Sequence, residues 1–461
     1  MQLLDNVIWC LFLTLVTAVS LVQSNYGSSE WYFISFVVFI LCAIVLLRMS
    51  QEHSQQYNLK GVKRAKVFFY VFSLALIYLL LQTNVPYKSN LYDQVFIQGK
   101  VAIPEWFMPK QVLSVTPERT YDLFWAELTM VASMFLSIVL LSSRRRLKQL
   151  LTLILIVGLT HALVGIIAKY GAIMLVEASQ IDGHFSAARA WFINRNHFAA
   201  FISLTLVSVL SFQLKWIIDH KGGNYWTFLV GQLLSLRIIV LVAILVSFVA
   251  LSLSQSRAGF FAILIALACT LAATGRHSKM LGKTRWMMMS VFAIAFMTIV
   301  YFGADLLLRL QSQESVLGER IPQWSLTWQL IKEEWLFGYG GNSYATVFQS
   351  VRGDTPLREL IYNQAHNDFL HIFLEQGLIG LLLWLSLIII TFKHAWAAYF
   401  KTTSSLVSGV LIAAMVVITA ALLHSIVGFN LQILNIRFYF FVIMPHHDFS
   451  LIGLGLSYQT D

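Results

Sequence analysis

Apolar residues in this chain come in long unbroken blocks. They show neither the two-residue alternation of a half-buried strand nor the one-sided stripe of a helix on a soluble protein. Blocks bounded by polar or charged residues fall at about 7–22, 31–47, 67–82, 122–142, 149–168, 198–214, 238–254, 258–275, 286–303, 369–392, 405–424 and 438–456. Most are close to the ~20 residues that a helix needs to cross a bilayer. The pattern predicts an all-α integral membrane protein of about twelve spanning helices. Pro445, His446, His447 and Asp448 interrupt the last block and read as a turn at a helix end rather than a metal site.

Between the blocks, two connections are long, about 84–121 and 304–366. Loops of that size in a compact membrane protein carry function. The layout divides into N-terminal helices (1–190), a core (191–395) that includes the 304–366 loop, and C-terminal helices (396–461). Composition strengthens the membrane reading. The 461 residues are 58% hydrophobic and 12% charged, against about 25% charged in a soluble domain, and the mean hydropathy is +0.72.

The net charge of +10 changes the picture only through its distribution. Its strongest clusters, Lys60 to Lys66 and Arg144-Arg145-Arg146 with Lys148, sit directly beside apolar blocks, as the positive-inside bias requires. That excludes a nucleic-acid partner and puts both termini in the cytoplasm, with the two long loops outside. Asp5, with no Lys or Arg before the first block, predicts an uncleaved first span. Cys10, Cys42 and Cys269 all lie inside apolar runs and read as small buried hydrophobes, not as a disulfide or metal framework.

The candidate chemistry gathers on the outward side. Ser256-Arg257-Ala258-Gly259 joins two spans almost without a loop, so Arg257 lies at the outer boundary, where an arginine either snorkels to headgroups or has a function. In the long loop, Arg320 opens an amphipathic stretch in which Pro322 suits a first helical turn. Trp324 and Trp328 there suit a membrane interface. Gly338-Tyr-Gly-Gly-Asn342 reads as a flexible turn. Asn363 or Asn367 caps the following span, Asp368 suits its positive end, and His366 stands at the membrane surface either as a proton acceptor or in a capping or structural role. His371 and Glu375, four residues apart, pair with each other. Two cations and a base on one face suit an anionic, lipid-linked phosphate substrate.

Ser256-Arg257-Ala-Gly, Arg320-x-x-x-Trp324, Trp335-Leu-Phe-Gly-Tyr-Gly-Gly-Asn342, and Ala365-His366-Asn367-Asp368-Phe-Leu with Glu375-x-Gly377-Leu-Ile-Gly380 together resemble the O-antigen ligase and polymerase superfamily. Asn194-Arg195-Asn196-His197-Phe198 is similar to a motif of members from exopolysaccharide clusters. Trp335 stands where the family commonly has proline. The resemblance implies a GT-C-like membrane glycosyltransferase of the bacterial inner membrane, with a periplasmic site and no metal or other cofactor. Its donor would be a glycan on undecaprenyl pyrophosphate, and its acceptor a glycan or the lipid A core. His366 would be the general base, with Arg257 and Arg320 on the donor pyrophosphate. Arg195, His197, Trp324, Asn367 and Asp368 would contact substrate, although Arg195 equally suits an interfacial anchor. A polysaccharide flippase and a protein O-oligosaccharyltransferase stand as the alternatives; a flippase usually shows two related halves, which are not visible here.

Overall fold

The computed structural model describes residues 2–22, 26–50, 57–87, 112–171, 187–219, 225–235, 237–275, 281–304, 316–351 and 363–443. Within them every regular element is helical, apart from one antiparallel bridge between Pro86 and Val112. The helices are α1 (Gln2–Leu21), α2 (Ser29–Ser50), α3 (Leu59–Arg64), α4 (Lys66–Asn84), α5 (Pro117–Leu140), α6 (Arg144–Tyr170), α7 (Arg195–Asp219) and α8 (Tyr225–Leu233). They continue with α9 (Ile238–Leu253), α10 (Arg257–Gly275), α11 (Leu281–Phe302), α12 (Val316–Glu333), α13 (Tyr344–Val351), α14 (Asp368–Lys401), α15 (Ser405–Ser425) and α16 (Leu434–Ile443).

Among the described residues nine helices are long and apolar enough to cross a membrane, and three stretches form shorter apolar helices. The chain is a multi-pass membrane protein. Each predicted block contains one of these helices, but the last differs. Helix α16 starts before the expected 438 and is buried throughout, while His446, His447 and Asp448 lie outside the described residues.

Helices α7 and α15 form the centre of the bundle, and both are buried along most of their length. Small residues let the backbones approach. A Cβ on Gly409 of α15 would come within 2.5 Å of the Ser211 carbonyl oxygen on α7, and one on Gly158 of α6 within 2.5 Å of Thr205 Oγ1. The expectation for the cysteines fails in part: Cys10 and Cys269 are exposed on the bundle surface and only Cys42 is partly covered. An apolar run in lipid is solvated by lipid, so apolarity alone does not select the inward face.

A second, smaller apolar cluster caps one end of the bundle. Val115, Leu330, Ile331, Tyr339, Tyr344, Val347, Phe348, Ala365 and Leu374 come together from the 112–116 segment, α12, the link that follows it, α13, the segment before α14 and the start of α14. In α12, Gln323 and Thr327 face inward and bond the Tyr344 hydroxyl at 3.1 and 3.0 Å, while Ile321 and Trp328 are exposed. The expected first-turn position of Pro322 is overturned, because the helix begins at Val316 and the proline lies inside it. The cost is one backbone hydrogen bond that proline cannot donate.

The glycine-rich stretch also differs from a flexible turn. Helix α14 is broken at Gly377 (φ 61°, ψ −168°), and residues 335–340 are strapped across the break. Tyr339 and Gly340 donate to the Leu374 and Glu375 carbonyls at 3.0 and 2.7 Å, and Leu378 donates to the Trp335 carbonyl at 2.8 Å. Gln82 Nε2 from α4 adds bonds to the Phe337 and Glu375 carbonyls at 2.8 and 3.1 Å. Backbone meets backbone here: a Cβ on Gly377 would sit 2.2 Å from the Leu336 oxygen, and one on Gly338 2.5 Å from the Gly377 nitrogen. The glycines serve this close approach.

Candidate functional site

Three helices start at one end of the bundle with polar residues on their first turns. Helix α7 opens with Arg195 and buries His197, and Asn194 accepts from the Asn196 N–H at 2.8 Å through its side chain. Helix α10 opens with Arg257 after a turn in which Gln255 adopts a positive φ of 57°. The Ser256 hydroxyl accepts from Gly259 N–H at 3.3 Å and so caps that helix. Helix α14 is capped by Asn367, whose side chain accepts from the Phe369 and Leu370 N–H groups, each at 3.0 Å. An arginine at a helix N-terminus opposes the macrodipole and costs about 0.3–1 kcal/mol at an exposed site. Two such arginines, added to positive helix ends, make a region that favours an anion.

Contacts tie these ends together. A Cβ on Gly259 of α10 would lie 2.8 Å from the Ala199 Cβ of α7, 3.1 Å from His424 Cε1 of α15 and 3.2 Å from Ser256 Oγ. The Phe429 ring stands edge-on between two imidazoles, 4.7 Å from His197 and 4.8 Å from His366, centroid to centroid. Arg320, from α12, donates to the Val427 carbonyl and acts electrostatically on both His366 and His424.

His366 is half-buried and its backbone has a positive φ of 51°. That conformation is costly for a residue with a side chain, and such residues concentrate at functional sites. The loop is held from α12: Gln323 Nε2 donates to the Gln364 carbonyl at 2.6 Å and Trp324 Nε1 to the Ala365 carbonyl at 2.8 Å. Burial first, and the Arg320 guanidinium second, push the His366 imidazole down to about 4. At neutral pH it is uncharged and able to take a proton.

Of the residues singled out in the sequence, His366 and His197 meet on Phe429, Arg320 bonds the Val427 carbonyl in the same turn, and Arg257 starts the helix whose Gly259 packs close to His424. Arg195 lies two positions from His197. Trp324 and Asn367 use the polar groups just described to hold the His366 loop. Asp368 is buried and accepts from Leu431 N–H and Gln432 Nε2 at 3.3 and 3.2 Å. His371 and Glu375 do pair, at 3.1 Å, and Glu375 also accepts from the Asn342 and Tyr344 N–H groups at 2.8 and 2.9 Å, capping α13.

Sequence reasoning missed His424, Phe429 and Asn430, and below them Arg437 with Glu127. The available signal was the ionisable residue at or inside an apolar block, which in a membrane is a functional or structural element by default. Among the described residues no group of three or more His, Cys, Asp or Glu side chains is arranged to hold a metal ion.

The fold and site define a multi-pass membrane protein with a cationic, imidazole-lined polar end. Residues 241–385 match the family model described as O-antigen ligase, so this stretch, from α9 into α14, carries that family's domain. Arg257, Arg320 and His366 lie inside the match; Arg195, His197, His424 and Phe429 lie outside it. No curated protein matches the chain. The match supports, in general terms, a polysaccharide-related glycosyl-transfer function.

Proposed function

We propose that the chain is an inverting, metal-independent glycosyltransferase. It takes a glycan from undecaprenyl diphosphate at the extracytoplasmic face of the inner membrane and passes it to a lipid A core or a growing glycan. The observation that carries this reading is His366, held in a left-handed backbone conformation, beside the Arg320 guanidinium and within one phenyl ring of His197.

The chemistry balances without further groups. The acceptor hydroxyl oxygen attacks the anomeric carbon, the bond from that carbon to the diphosphate oxygen breaks, and the hydroxyl proton passes to His366. The departing diphosphate gains negative charge, which Arg257, Arg320 and the positive ends of α7 and α10 favour in the transition state. Attack opposite the leaving group inverts the anomeric centre. The clustering of Lys and Arg beside the opposite ends of the spans supports an outward-facing site.

The test is transfer by the purified protein in lipid nanodiscs, with and without chelator. Donor is the native lipid-linked glycan, and acceptor is either the lipid A–core fraction or a second donor molecule. Chelator-resistant transfer with inversion is expected, and product mass separates ligase from polymerase. Movement of donor across a bilayer without transfer overturns the proposal in favour of a transporter.

A further inference from the structure

The turn at 426–433, between α15 and α16, lies outside the matched stretch, yet it is held at both ends. At one end Arg320 donates to the Val427 carbonyl. At the other, Asp368 accepts from Leu431 and Gln432, while Arg437 donates to the Leu431 carbonyl and, at 3.1 Å, to Gln432 Oε1. Arg437 is itself paired with Glu127. Between these anchors stand Phe429, against the rings of His197 and His366, and Asn430.

Asn430 is 3% exposed and His197 is 7% exposed. Neither the amide nitrogen nor the amide oxygen of Asn430, nor Nε2 of His197, has a hydrogen-bond partner among the described residues. Gly428 leaves room for the amide, since a Cβ there would come within 2.8 Å of Asn430 Nδ2. A buried amide left open on both sides is costly, and native proteins keep few of them without a reason. A segment that is anchored at both ends while its central polar atoms stay unused is built as a preorganised recognition element. The amide offers one donor and one acceptor face, which matches a sugar hydroxyl, and the phenyl ring supplies apolar contact.

We infer that Phe429, Asn430 and His197 form the wall that recognises the acceptor sugar, with the Asn430 amide bonding a ring hydroxyl beside the one that His366 deprotonates. This rests on the glycosyl-transfer reading above. The acceptor is favoured over the donor because Phe429 touches the ring of the base, which must meet the acceptor hydroxyl, whereas the diphosphate belongs with the Arg320 guanidinium, which the turn meets through the Val427 carbonyl.

Two measurements test it. In the transfer assay, Asn430→Ala and Asn430→Asp should raise the acceptor KM, by about tenfold for alanine, the factor that one lost neutral hydrogen bond gives. Donor KM and kcat should stay within about twofold. In the wild-type protein, glycan released from the native carrier by mild acid, and so free of diphosphate, should slow backbone hydrogen exchange over 426–433. A folded variant with wild-type acceptor KM, or wild-type protein that transfers glycan yet shows no protection in that turn, overturns the assignment while leaving the glycosyl-transfer reading intact. If wild type neither transfers nor binds any glycan, both fall.

Discussion

Two arginines at the same end of the molecule show opposite uses of one charge. Arg437 is 5% exposed and is met by the Glu127 carboxylate, the Gln432 side chain, the Leu431 carbonyl and the Tyr26 ring, 5.7 Å from the guanidinium carbon. Arg320 bonds a carbonyl and acts on the imidazoles of His366 and His424. A guanidinium neutralised by a fixed carboxylate and enclosed by acceptors is architecture. One set beside an imidazole disfavours protonation of that imidazole, as Arg320 does for His366. Removing Arg437 should therefore act on folding, and removing Arg320 on reaction.

The largest effect expected from this contrast is on the group that Arg320 influences. His366→Ala should lower kcat by about 10²–10⁴-fold, the usual contribution of a positioned base, with an unchanged melting temperature. A folded variant with wild-type turnover would remove His366 from the chemistry. Arg437→Leu should cost about 3–5 kcal/mol by stranding Glu127. The double variant with Glu127→Leu should recover much of that loss in a detergent melt, whereas Arg320→Ala, which gives up the bond to the Val427 carbonyl, should cost only about 1 kcal/mol in the melt while losing about 10²–10³-fold in turnover. Equal melting losses for the two arginines would erase the distinction.

Gly377→Ala tests the scaffold that both arginines depend on. Its positive φ and the Leu336 oxygen leave no room for a Cβ, so a loss of about 1–3 kcal/mol is expected in the same melt. The smallest effect is in the pH profile. In the proposed reaction the unprotonated imidazole is the active form, so kcat/KM should fall as pH drops through about 4. Arg320→Gln removes a cation that disfavours protonation, so its acid limb should move to higher pH; a limb that stays in place would separate Arg320 from His366.

The sequence made the spans visible because a long apolar block has few other solutions. Arg257, Arg320 and His366 were visible for the same local reason: each sits in a short polar motif beside a block. What escaped depends on contacts between distant segments. Glu375 to Gly380 lies in a stretch that reads as the continuous start of a helix, and its break is stabilised by Gln82 and by residues 335–340, which no local pattern connects. Phe429 and Asn430 look like ordinary residues at the end of a span, and only the meeting of α7, α14 and α15 gives them a role. Trp324 was legible as an aromatic near the membrane, but not as the donor that holds the Ala365 carbonyl.

The break at Gly377 also orders events during synthesis. Its backbone groups are satisfied by residues from α4 and from the 335–340 strap, and contacts so distant in sequence form late. As the ribosome proceeds, α4 enters the membrane with Gln82 still lacking the carbonyls it will bind, and the His366 loop has no rigid helix to stand on until α14 has emerged. The nascent chain therefore passes through most of its membrane insertion with the His366 loop and the break at Gly377 not yet assembled.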